Sequence, residues 1–83
     1  MARINLTRQA QADAGKLSEE NVTRVKNALR VLSEDPLKGE PLSGPYKGLS
    51  RYRVGDFRIV YEFDRKSGII LVVKIRLRRE AYR

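Results

Sequence analysis

Arginine is the residue from which any chemistry of this chain has to be built. The stretch RYRVGDFRIVYEF carries Arg51, Arg53 and Arg58, and IRLRRE, close behind it, adds Arg76, Arg78 and Arg79. There is no cysteine and no histidine. Their absence excludes a disulfide framework, a soft-ligand metal site and an imidazole general base, and leaves carboxylates as the only plausible metal ligands. No metal or cofactor is expected. The guanidinium group is planar, always charged and forked to match phosphate oxygens, so a set of arginines on one surface points to a polyanion.

The distribution of charge supports that reading. Of the net +8, residues 1–50 contribute +2 (eight Lys/Arg against six Asp/Glu) and residues 51–83 contribute +6 (ten against four). The positive field belongs to the last third of the chain. A patch of this kind suits nucleic acid or an acidic protein segment. Eighty-three residues make one domain, 1–83, with room for one core. The longest apolar run, GIILVV, is too short to span a bilayer, and MARINLTRQAQ lacks the apolar block of a signal peptide. The expectation is a cytoplasmic protein with no membrane contact.

The elements that must position the arginines are short. RINLT reads as an opening strand with Ile4 and Leu6 on one face. From Thr7, a helix capped by that threonine places Ala10, Ala14 and Leu17 at helical spacing, and Gly15 weakens its end. A second helix starts from Ser18, with Glu19 and Glu20 at the positive end of its dipole and Val22, Val25, Leu29 and Leu32 as its apolar stripe; Pro36 stops it. PLKGEPLSGPYKG is a surface loop.

Three strands follow, with turns at Gly55-Asp56 and Ser67-Gly68. Alternation sends Phe57, Ile59, Tyr61 and Phe63 inward and Arg58, Val60 and Glu62 outward. In the last strand it sends Ile69, Leu71, Val73, Ile75 and Leu77 inward and Ile70, Val72, Lys74, Arg76 and Arg78 outward. On this parity Ile59 and Leu71 cannot become aspartate, whereas Val72 tolerates threonine. Tyr52 and Tyr61 share the core parity. The arginines form a surface opposite the helices, where solvent is expected to reach them. The fold class is α+β, in the order β-α-α-β-β-β, with a small antiparallel sheet packed on two N-terminal helices.

That order, the block from Leu42 to Tyr61 containing YRVGDFRIVY, and the closing RREAY resemble the RelE/ParE superfamily of toxins over nearly the whole chain. An arginine directly before IVY and a tyrosine near the C-terminus look more like the RelE branch. The resemblance implies the toxin of a type II toxin–antitoxin system, acting as a ribosome-dependent mRNA endonuclease. In that reaction a ribose 2′-OH attacks the adjacent phosphorus and leaves a 2′,3′-cyclic phosphate. It also implies the ribosome, mRNA and a cognate antitoxin with an acidic amphipathic segment as partners.

Carried over from the family, Arg51 and Arg53 match basic residues beside the scissile phosphate, and Tyr82 matches a tyrosine that stacks on a base or relays a proton. Arg58 and Arg78 are assigned to charge on the phosphorane, and Lys47, Lys74, Arg76 and Arg79 to RNA binding. Where the family commonly has Gly-His-Arg, this chain has Arg76-Leu77-Arg78, so no histidine serves as base. Glu62, among arginines, reads as an ion-pair partner rather than a base. The alternative is a non-catalytic or ParE-like inhibitor on the same fold, with a gyrase-type target, or a detoxified homologue.

Overall fold

A computed structural model describes residues 2–77. Strand β1 (Arg3–Leu6) leads into α1 (Arg8–Gly15) and α2 (Glu19–Glu34). Then come a two-residue strand β2 (Glu40–Pro41), a 3₁₀ turn (Gly44–Tyr46), and the long strands β3 (Ser50–Val54), β4 (Phe57–Asp64) and β5 (Ile69–Leu77). The sheet order is β1-β5-β4-β3-β2. The α+β class and the helix-helix-meander order are as the sequence implied. Two features extend it: β1 pairs with β5 in parallel, and β2 adds a fifth strand at the far edge.

Both helices begin as their caps dictate. Thr7 Oγ1 accepts from Ala10 N and Ser18 Oγ from Asn21 N, each satisfying an otherwise orphaned donor. Glu34 ends α2 because Asp35, preceding Pro36, is pushed out of the helical region (φ −140°, ψ 79°). The stripe of α2 centres on Val25, Ala28 and Leu32, with Val22 and Leu29 half-buried at its margins. Between β3 and β4, Gly55 has φ +58° as the first of two turn residues, the position that a type II′ hairpin reserves for glycine.

The core joins Ala10, Val25, Ala28 and Leu32 of the helices to Ile59 and Tyr61 of β4 and Ile70, Val72 and Ile75 of β5. Each fully buried aliphatic here contributes about 1.5–3 kcal/mol. The alternation expected for β4 holds. That of β5 does not hold in its first half: Ile70 and Val72 are fully buried in the core, while Leu71 lies on the opposite face. The reason is a β-bulge. Val60 pairs with Lys74 but Tyr61 pairs with Val72, so Val73 is an extra residue and the two halves of β5 have opposite parity. Leu71 is therefore not the core residue that simple alternation made it, and Val72 is.

Tyr61 is the largest fully buried side chain. Its hydroxyl donates to the Pro36 carbonyl (2.8 Å) and accepts from Gly39 N (3.0 Å), pinning the loop after α2 to the sheet. Burial pushes the Tyr61 hydroxyl pKa up. A Cβ at Gly39 would collide with Tyr61 Oη and lie 2.8 Å from the Arg51 carbonyl oxygen. Tyr61→Phe is expected to lower stability by about 1–3 kcal/mol in denaturant titrations, because it strands two partly buried backbone groups. Gly39→Ala should cost at least as much.

Candidate functional site

On the sheet face away from the helices, residues paired across neighbouring strands stand side by side. Arg53, Arg58 and Arg76 form one transverse row over β3, β4 and β5. Glu40, Arg51, Val60 and Lys74 form the next, over β2 to β5. Arg58 thus has an arginine opposite it on each side.

The bulge makes this arrangement possible. In an unbroken strand, residues 70, 72, 74 and 76 share one face, so burying Ile70 and Val72 would drive Lys74 and Arg76 into the core. The extra residue, Val73, lets one strand supply both the core and the basic face.

Carboxylates meet the rows at their two ends. Arg51 donates through Nε to Glu40 Oε2 at 2.8 Å, and its Nη2 lies 2.6 Å from the same oxygen. Hydrogen bonding and charge from Arg51, joined by the fields of Arg53 and Arg58, hold the Glu40 carboxyl below its usual value. At the other end, Arg76 Nη1 lies 3.5 Å from Asp13 Oδ1, and Asp13 is buried. Lys74 Nζ stands 5.5 Å from the centroid of the Tyr46 ring, which the 3₁₀ turn brings beside the basic face.

The structure thus brings together Arg51, Arg53, Arg58, Lys74 and Arg76, while Lys47 is exposed immediately after the 3₁₀ turn. Arg78, Arg79 and Tyr82 lie outside the described residues. Arg58 is on the expected face but is not solvent-exposed: it is 7% accessible, and its neighbour Val60 is 0%. Glu62 stands exposed opposite Leu71; among the described residues the carboxylates paired with the basic rows are Glu40 and Asp13.

Sequence reasoning missed Glu40, Asp13 and Tyr46. Asp13 carried a signal, since it falls on the Ala10-Ala14-Leu17 stripe, where a carboxylate needs a specific partner. Glu40 and Tyr46 belong to the stretch read as a surface loop, which forms the edge strand β2 and the 3₁₀ turn.

Glu40 competes with any incoming anion for Arg51. Glu40→Gln is expected to tighten binding of a short labelled polyanion at neutral pH, read by fluorescence anisotropy. The sign of its pH dependence follows from the depressed carboxyl. The pair's contribution to stability is present above the unfolded carboxylate's pKa and is lost as pH falls through the lower folded value. Glu40 is fully exposed, so that contribution is small and screened by salt.

Among the described residues no three or more Asp or Glu side chains gather as a metal site, and no helix is long and apolar enough to cross a membrane. Residues 4–82 match the family described as the ParE toxin of the type II toxin–antitoxin system parDE. No curated protein sequence matches the chain. Solved structures do. The toxin–antitoxin complex RelBE2 from Mycobacterium tuberculosis contains a chain that superposes with a TM-score of 0.85 at 26% identity, over 93% of this chain and 98% of that one. The isolated Escherichia coli RelE toxin superposes at 0.81 and 14% identity (99% and 89%). A YoeB/ParE toxin from Agrobacterium tumefaciens does so at 0.80 and 20% (90% and 96%). The chain belongs to the ParE toxin family of type II toxin–antitoxin systems, on the fold shared by RelE and ParE toxins.

Proposed function

We propose that this toxin is a ribosome-dependent endoribonuclease whose basic sheet face holds the mRNA phosphate at the cleavage site. The observation that carries the proposal is the row Arg53-Arg58-Arg76, abreast on three strands, with Arg51 and Lys74 in the row beside it. Attack of a 2′-OH on its neighbouring phosphorus puts extra negative charge on the phosphorane oxygens. Fixed donors that meet this charge as it develops are worth roughly 3–4 kcal/mol each. Arg58, preorganised by burial, is assigned that role, with Arg78 beyond the described strand as its partner. Arg51 and Arg53 hold the flanking backbone, and Lys47, Lys74, Arg76 and Arg79 extend the contact. Tyr82 stacks on a base or relays a proton. Arginine is a poor proton acceptor, so the arginines accelerate the step electrostatically rather than as bases.

The partner that silences such a face in the cell is a cognate antitoxin, in keeping with the neighbours that are toxin–antitoxin complexes. An acidic, amphipathic antitoxin segment that folds on binding suits the +8 chain. The match to the ParE model supports a second reading, in which the same face blocks DNA gyrase without catalysis. Parallel assays decide between them. New mRNA 5′ ends on programmed ribosomes, with gyrase supercoiling untouched, are the expected outcome; inhibited supercoiling with intact mRNA would establish the ParE-like reading instead.

A further inference from the structure

Asp13 has no part in the chemistry above, yet it is 4% exposed and its carboxylate holds three groups. Oδ2 accepts from Ile75 N at 3.0 Å; Oδ1 accepts from Gln9 Nε2 at 2.9 Å and lies 3.5 Å from Arg76 Nη1. The register of β1 on β5 ends at Leu6 and Val72. Beyond that point the Ile75 amide, on the side β1 vacates, bonds to Asp13. Thr7, at the start of the same helix, works on the other side of the bulge: its N donates to the Val72 carbonyl (3.0 Å) and its Oγ1 to the Val73 carbonyl (2.8 Å). Helix α1 therefore grips β5 on both sides of the extra residue. That residue is the one that turns Lys74 and Arg76 away from the core.

We infer that Asp13, together with Thr7, is a positioning residue for the polyanion-binding face: from α1 it fixes the β5 bulge and holds the Arg76 guanidinium at the end of the arginine row. The inference rests on the reading of this face as an RNA-binding surface and deepens it by naming what sets its geometry. It makes a prediction with an unexpected sign. By charge alone, removing a carboxylate from a basic surface strengthens its grip on RNA, as expected for Glu40→Gln. Removing the Asp13 charge weakens it instead.

The test uses the full chain and a short labelled single-stranded RNA, with affinity measured against salt. Asp13→Asn keeps an acceptor for the Ile75 amide but gives up the charge that holds Arg76. Loss of one phosphate contact lowers the slope of log affinity against log salt by about 0.7, which is about fivefold in affinity at ~0.1 M salt. Arg76→Gln is expected to show this loss, Asp13→Asn to match it, and the double variant to add nothing further, because the aspartate acts through the arginine. Thermal melting runs alongside. Asp13→Ala, which also strands the Ile75 amide, should melt well below Asp13→Asn and bind RNA no better.

If Arg76→Gln weakens RNA binding while Asp13→Asn leaves it unchanged or strengthens it, the positioning role is wrong and the RNA-binding face stands. Additive losses in the double variant would likewise overturn it, assigning Asp13 to general stability. If neither Arg76→Gln nor Arg53→Gln alters RNA affinity, the face itself has been misread and the inference fails with it.

Discussion

Arg58→Met is expected to reduce ribosome-dependent mRNA cleavage by about 10²–10³-fold, the loss that follows removal of one preorganised donor to a developing oxyanion. Arg58 is buried between Arg53 and Arg76, so an apolar side chain of similar length keeps the packing of the stem while removing the charge and its fork. Arg58→Ala should lose a similar amount of activity and destabilise as well, because it also deletes the buried stem. Lysine at this position keeps the charge but not the fork, and should restore only part of the rate. A Met variant that cleaves normally would remove Arg58 from the site. One that fails to fold would show the guanidinium to be a structural group. Paired rate and melting measurements separate these outcomes, and a folded variant that has lost its activity is the signature of a residue kept for function.

Val72→Asp should abolish folding. The side chain is fully buried against the helices, and an unpaired carboxylate there costs more than a chain of this length has to spare: at 0.05–0.15 kcal/mol per residue its stability is roughly 4–12 kcal/mol. Leu71→Asp, one residue earlier, should still fold. Leu71 is only partly buried, on the opposite face between Asn5 and Glu62. Val72→Thr, mild on the simple alternation, should cost about 1–3 kcal/mol for a hydroxyl without water. Circular dichroism with thermal melting ranks the three, and a Leu71 variant less stable than the Val72 variant would contradict the bulge.

That reversal shows where the sequence is readable and where it is not. Helix starts were legible because Thr7 and Ser18 are local signals, acting on amides three residues away. The faces of β4 were legible because polar and apolar residues alternate strictly from Phe57 to Glu62 apart from Val60. In β5, residues 69–73 are all apolar, so nothing local marks their face, and the assignment had to be carried back from Lys74 and Arg76. Those two were placed correctly. The error entered at the bulge, which depends on contacts from Thr7 and Asp13, more than sixty residues away.

The site divides in the same way. Arg51, Arg53, Lys74 and Arg76 fall on one face by parity, as the sequence implied, and pairing across strands aligns them into rows that a linear reading cannot see. Arg58 was placed on the right face but in the wrong environment, since parity reports direction and not depth. The ends of the rows were illegible because Glu40 and Asp13 reach them from a two-residue edge strand and a helix.

The chemistry of the cut is the most direct test of the central claim, that an arginine face without histidine drives attack by the ribose 2′-OH. Purified toxin is added to ribosomes carrying a defined mRNA, and both termini at each break are identified. Breaks are expected only on the ribosome, with a 2′,3′-cyclic phosphate on the upstream fragment and a 5′-hydroxyl on the downstream one. A 5′-phosphate at the break, or ribosome-bound mRNA left uncut at high toxin concentration, would contradict it.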